Sequence, residues 1–387
     1  MKMRMSTSTP VVLLLGLAVL AALPSPSSQQ PESEKALQSW IGWNDQLYNS
    51  PMAEDPPPLN GDLVAANNSI VRVAVDGGSI ADALAAVPNG NTKRYIFSLK
   101  PGAVFREKVV VEKGRRFVTF KSDPANPAVV VWNDTAATLG KDGKPLGAVG
   151  SATLAVKAEY FLAYGVVFKN DGQSAGAKRG QTVAVRVAGS MAAFYNCTID
   201  GGQGALYDDE GQHYFKDCTI NGGADAIFGF GRSLYAGCRV VATQATPAVP
   251  TAPPQRASKV NRTGENGGAG PNPIANGFSF VNCTVEAAAG AGDKVYLGRA
   301  WGDSSYFVYV NTKMANEVVP IGYDRRSLQQ PAQGTGAYYG VFNCTGPGFD
   351  ASTKMGWPKK TDSGFPYDDI DFIDGTKWIL PQPVPTD

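Results

Sequence analysis

The 387-residue chain has one histidine, five cysteines and almost no charge imbalance, with 35 Lys and Arg against 34 Asp and Glu. Each shortage closes a class of function. Balanced charge gives no support to nucleic-acid binding, which usually shows a basic face or stripe, so no nucleic-acid partner is expected. A single histidine and no grouped carboxylates leave no convincing metal site. An odd number of cysteines argues against a complete disulfide framework. No apolar run reaches the roughly twenty residues of a spanning helix, so no membrane partner is expected.

The apolar run at residues 11–23 follows Lys2 and Arg4 and precedes a small, polar stretch at residues 24–30. That is the three-part layout of a secretory signal peptide. Its removal leaves a soluble, exported chain with a net charge near zero. Six sequons, at Asn67, Asn133, Asn196, Asn261, Asn282 and Asn343, suit a chain on the secretory route. Three of them read Asn-Cys-Thr inside apparent strands and are expected to be poorly accessible.

The cysteines sit in similar surroundings: FYNCTI at Cys197, FKDCTI at Cys218, YAGCRV at Cys238, FVNCTV at Cys283 and VFNCTG at Cys344. Buried free thiols behave as small hydrophobes, and core filling is the expected role here. The first three cysteines recur at 21 and 20 residues. Short strands recurring near twenty residues, parted by Gly, Asn and Asp turns and lacking amphipathic helical stretches, predict a β-solenoid. A β-sandwich has shorter periods and would not place the same tripeptide once per coil.

The expected organisation is a signal at residues 1–30, an extension at 31–70 whose residues 32–48 form a capping helix, and a solenoid domain at 71–387. The Pro- and Gly-rich stretch at 244–276 buries little apolar surface and is expected to leave the coil as a loop. The tail at residues 365–380 is expected to pack along the outside.

A match to the nucleophile elbow G-x-S-x-G occurs at residues 172–176, with His213 as its only available base. It lies in a polar loop followed by a strand-like run, so the strand-turn-helix context is missing. Stronger candidates are polar residues set in apolar strands, where an unpaired polar group is costly. They are Gln181, Gln203, Asp225 and Arg299. Asp225 follows Gln203 by 22 residues, about one coil, which predicts that the two lie side by side. Taken singly, each also reads as a structural polar group.

Taken together, GAVFREKV (102–109), WNDTA (132–136), QTVAVR (181–186), GGQGALYDDEGQHYFKDC (201–218), DAIFG (225–229) and LGRAW (297–301) resemble the plant pectinesterases. The resemblance runs from about residue 71 to 378 and is to forms without an inhibitor-like pro-region. It implies an all-β fold, a right-handed parallel β-helix, and removal of methyl esters from cell-wall homogalacturonan without metal or cofactor. It also implies a secreted cell-wall protein acting as a monomer, with pectin as substrate and a proteinaceous pectinesterase inhibitor as a further partner.

Residue by residue, the resemblance makes Asp225 the nucleophile, with Arg299 holding its carboxylate ionised and aimed. It makes Gln181 and Gln203 donors to the developing oxyanion. Trp301 would offer an aromatic face to the sugar ring, and Phe228 and Tyr207 would line the same groove, with a core position the equal alternative for Phe228. One position departs from the pattern. Where the family has Gln-Asp-Thr-Leu, with the Asp as general acid, this chain has Gln203-Gly204-Ala205-Leu206. Asp208 lies four residues along, roughly 13 Å in extended chain, beyond proton-transfer reach. Ala226 and Ala300 also depart, with Ala226 expected to remove a groove surface.

Two functions therefore compete at position 204: an esterase weakened by loss of its acid, and a pectin-binding homologue with dead chemistry. A polygalacturonase would need a pair of carboxylates across the scissile bond, and none appears beside Asp225.

Overall fold

Short aromatic and β-branched runs stack coil upon coil with their strands parallel. The computed structural model describes residues 70–172, 180–243, 276–291, 295–298, 306–319, 338–349, 359–360, 364, 366–375 and 378–379. Within these residues the strands form three sheets, of eleven, eight and five members.

One coil shows the pattern. Leu206–Asp208 belongs to the five-stranded sheet, Gln212–Lys216 to the eleven-stranded sheet and Thr219–Gly222 to the eight-stranded sheet. Ile227–Gly229 then begins the next coil directly on Leu206–Asp208. This is the all-β, right-handed parallel β-helix that the repeat and the resemblance predict, right-handed as parallel crossovers nearly always are.

One aromatic column runs through five successive coils of the core. Phe194, Phe215, Tyr235, Phe280 and Tyr309 stack face to face, with ring centroids 5.0, 4.7, 4.6 and 4.8 Å apart in succession. That spacing is the strand spacing itself, so parallel register and aromatic stacking reinforce one another.

The five cysteines are free and buried, as core filling requires. Their surroundings explain the tripeptide. The residue before each cysteine is left-handed: Asn196, Asp217, Gly237, Asn282 and Asn343 all have φ between 48° and 66°. Gly, Asn and Asp enter this region most readily. Each thiol then donates to the carbonyl two residues back, as Cys197 does to Tyr195 and Cys283 to Val281. Thr312, after left-handed Asn311, takes the same place with a hydroxyl donated to Val310. Burial pushes the thiols of Cys218 and Cys283 well up, so they remain protonated donors.

The Asn-Cys-Thr asparagines are thus turn residues, and their side chains are exposed at Asn196, Asn282 and Asn343. The expectation of poor accessibility is corrected. A single left-handed residue makes a corner without interrupting the β-rich composition on either side.

The core's open end is covered by Ile80–Leu84, a five-residue helix whose Ile80 and Leu84 are buried. Ser79 caps it by accepting from the Asp82 amide at 3.1 Å, and the Glu107 carboxylate accepts from the Ile80 amide at 2.7 Å. The helix expected at residues 32–48, the signal at 1–30 and the loop at 244–275 lie outside the described residues. Of the tail, residues 366–375 and 378–379 are described and pack on the eleven-stranded sheet. Gln212 Nε2 donates to Asp374 Oδ2 at 2.5 Å, and Arg232 Nη1 lies 3.2 Å from the same oxygen.

Candidate active site

The outer face of the five-stranded sheet is a column set by register. Val110 pairs with Ala155, Ala155 with Arg186, Arg186 with Tyr207, and Tyr207 with Phe228. Because strand side chains alternate, the neighbours of these residues turn inward. Tyr207 and Phe228 stack at 4.4 Å with their planes 14° apart, and both are half-buried. Arg186 lies over the Tyr207 ring at 5.7 Å and is held by Asp209, which accepts from its Nε at 2.8 Å. Burial, and then Asp209, push the Tyr207 phenol up to about 12. Tyr207 therefore stays protonated at neutral pH and is far from the pKa that suits a proton-transfer catalyst.

The turn leading into this sheet carries the other candidates. Leu206 N donates to Ala226 O at 2.8 Å, and two residues earlier Gly204 N donates to Ala224 O at 3.1 Å. The parallel ladder thus runs unbroken past the strand end, and Gly204 lies level with Asp225. Both residues are left-handed, at φ 68° and 54°. The sequence spacing predicts Asp225 beside Gln203; the ladder sets it over Gly204, with Ala224 over Gln203. Coils of 20 and 21 residues leave that one-residue difference unresolved until hydrogen bonds are seen.

Asp225 is only 5% exposed. Aspartate enters the left-handed region more readily than most residues, so burial, and not backbone conformation, separates Asp225 from the exposed left-handed Asp217. At Gly204, an added Cβ would lie 2.8 Å from Phe228 Cε1 and 3.2 Å from Gln181 Cγ. Any side chain at 204 would therefore start between Gln181 and the Phe228 ring. Gln181 and Gln203 are half-buried, and Gln203 O accepts from Thr182 N at 2.8 Å. Arg299 and Trp301 lie outside the described residues.

The structure removes two competing chemistries. Asp208 points inward and is fully buried, accepting from Tyr235 Oη at 2.6 Å and lying 2.6 Å from His213 Nδ1. Its carboxylate is engaged inside the coil, away from the outer face of the sheet. His213 is equally buried, with Nε2 3.2 Å from the Gly189 carbonyl oxygen, so both ring nitrogens are engaged inside the coil. The base that a serine nucleophile would need is thus a structural histidine. Ala226, expected to mark a lost groove surface, is fully buried, and the close approach of its Cβ explains Gly222: an added Cβ there would lie 2.6 Å away.

Sequence reasoning missed two supports. Arg186 sits inside a quoted motif but was given no role; only the fold brings Asp209 to it. Buried Asn170 donates from Nδ2 to the carbonyls of Asp134, Ser151 and Val183 at 2.9, 3.0 and 3.0 Å. It ties the loop at residues 133–151 to the segment carrying Gln181, whose carbonyl accepts from Ala136 N at 2.8 Å. An asparagine at a strand end in VVFKN gives no sign of that reach. Among the described residues, no three of His, Cys, Asp and Glu converge as metal ligands.

A family profile described as Pectinesterase matches residues 70–373. Pectinesterase QRT1 of Arabidopsis thaliana is 31% identical, over 97% of this chain and 100% of its own length. Probable pectinesterase 50 of the same plant is 32% identical, over 96% of this chain and 97% of its own. Among solved structures, the pectin methylesterase from carrot superposes with a TM-score of 0.64 at 27% identity, covering 80% of this chain and 94% of that one. Pectin methylesterase PemA from Erwinia chrysanthemi, at 23% identity, shares the fold with a TM-score of 0.60, covering 82% of this chain and 98% of that one.

Proposed function

The chain belongs to the pectinesterase family, carboxylic-ester hydrolases that act on pectin, and on that premise we propose that Asp225 is its nucleophile and Gly204 the place of an absent general acid. The observation that carries this reading is the ladder that sets Gly204 level with Asp225, where a side chain would start between Gln181 and Phe228.

The Asp225 carboxylate attacks the carbonyl carbon of a galacturonate methyl ester. The carbonyl electron pair moves to oxygen, where the Gln181 and Gln203 amides donate to the oxyanion. Collapse breaks the bond to methoxide and leaves an acyl-aspartate; water then adds to the acyl carbon and frees Asp225. Arg299 keeps the carboxylate ionised, since a neighbouring cation favours the charged form. Trp301 offers a ring face to the sugar, and Tyr207 and Phe228, stacked on each other, line the same groove.

Methoxide must take a proton as it leaves, and the attacking water must lose one. With Gly204, solvent serves both steps, and lack of a positioned acid-base group lowers the rate about 10²- to 10⁴-fold. The protein is read as a secreted, monomeric cell-wall enzyme with a proteinaceous pectinesterase inhibitor as a further partner.

Methanol release from highly methylated pectin tests the assignment. The protein should release methanol slowly, and Asp225→Ala should fall to background while still binding pectin. Equal release by both would overturn the nucleophile. Gly204 itself favours a second reading, a pectin-binding homologue; no release by the unmodified protein, with pectin retained, would establish that one.

A further inference from the structure

Asn196, Asn282 and Asn343 each open an Asn-Cys-Thr sequence on one edge of the solenoid. Strand register joins Thr198 to Thr219, Thr219 to Arg239, Arg239 to Thr284 and Thr284 to Lys313, and a bridge joins Lys313 to Thr345. The turn residues two places earlier, 196, 217, 237, 282, 311 and 343, therefore form one column. Within each tripeptide the roles are divided. The cysteine is buried and its thiol fastens the corner from inside, whereas the asparagine is left-handed with its side chain outside.

The column lies at the corner between the eleven- and eight-stranded sheets. The five-stranded sheet, with Gly204, Tyr207 and Phe228 at or beside it, forms the opposite side of each coil. At about 4.8 Å per coil, Asn196 and Asn282 stand three coils apart, roughly 14 Å, and Asn282 and Asn343 two coils apart, roughly 10 Å. The coils between them turn on Asp217, Gly237 and Asn311, none of which begins an Asn-X-Ser/Thr sequence. No two of these three acceptors occupy neighbouring coils.

We propose that Asn196, Asn282 and Asn343 carry N-linked glycans, forming a glycosylated edge on the corner opposite the five-stranded sheet. An N-glycan is bulky and soluble and is compatible only with a surface asparagine. A glycosylated amide retains one N–H, so the bond from Asn343 Nδ2 to Asn311 Oδ1, 2.8 Å, survives modification. The inward thiols are untouched. The inference rests on export but is independent of the esterase reading.

The chain produced with its own leader in plant cells, and purified from the medium, provides the test. Peptides spanning the three sites are mapped after peptide:N-glycosidase treatment in heavy-oxygen water. Label at all three asparagines is expected, with one step of mass lost in each of Thr198→Val, Thr284→Val and Thr345→Val. The matching Thr→Ser variants, which keep the acceptor sequence, should retain the full mass, so loss of a glycan cannot be laid to misfolding. Unmodified peptides from exported protein would overturn the proposal, as would failure of the chain to enter the secretory route.

Discussion

The corner between the eleven- and eight-stranded sheets and the corner leading into the five-stranded sheet both turn on left-handed residues. At the first, Asn196, Asp217, Gly237, Asn282, Asn311 and Asn343 repeat one solution coil after coil, side chains outward wherever there is one. At the second, Gly204 and Asp225 share a backbone conformation but no chemistry, and Asp225 is buried. Exposed asparagine is an inexpensive left-handed residue; a buried aspartate is not. Repetition with exposure marks a corner built for stacking, and uniqueness with burial marks one kept for something else.

That contrast can be broken at the core, at the repeating corner and at the groove. Phe215→Ala empties the middle of the aromatic ladder between Phe194 and Tyr235 and should cost about 3–5 kcal/mol in urea unfolding. A loss near 1 kcal/mol would mean that stacking across coils contributes little. Asn311→Val forces a β-branched residue into φ 49° and should destabilise by about 1–2 kcal/mol, while Asn311→Gly stays near the parent. Equal stability of both variants would deny that conformation chooses the turn residues.

The smallest effect is expected at Tyr207, where folding raises the phenol to about 12 from an unfolded value of about 10. The folded state binds that proton more tightly, so the associated stability is intact below about pH 10 and declines as pH rises toward 12. Tyr207→Phe should make the urea midpoint fall less steeply above about pH 10. An unchanged slope would mean a solvated ring.

The parallel coils were legible because the cysteine spacing repeats and stacking demands equivalent residues at equivalent places. The corners were not. FYNCTI reads as one strand, since Phe, Tyr, Cys, Thr and Ile all suit β-structure, and a single asparagine turns the chain inside it. In the candidate site, Gln181, Gln203, Gly204 and Asp225 were found through their polar or missing side chains and through the family resemblance. The level pairing of Gly204 with Asp225 was hidden, because coils vary by one residue and only the hydrogen bonds between coils, from Leu206 to Ala226 and from Gly204 to Ala224, fix the register. Arg186 with Asp209, and Asn170 with its three carbonyls, depend on contacts between coils that spacing does not display.

The central claim is that position 204 faces Asp225 and lacks the group that moves protons. Methanol release by Gly204→Asp, set against the parent protein, tests it most directly. Aspartate tolerates the left-handed backbone, as Asp225 does at φ 54°, and the half-buried Phe228 ring must give way to the new Cβ. A gain of about 10²- to 10⁴-fold that Asp225→Ala abolishes is the predicted result. A folded Gly204→Asp protein that binds pectin but releases methanol no faster than its parent would contradict the account.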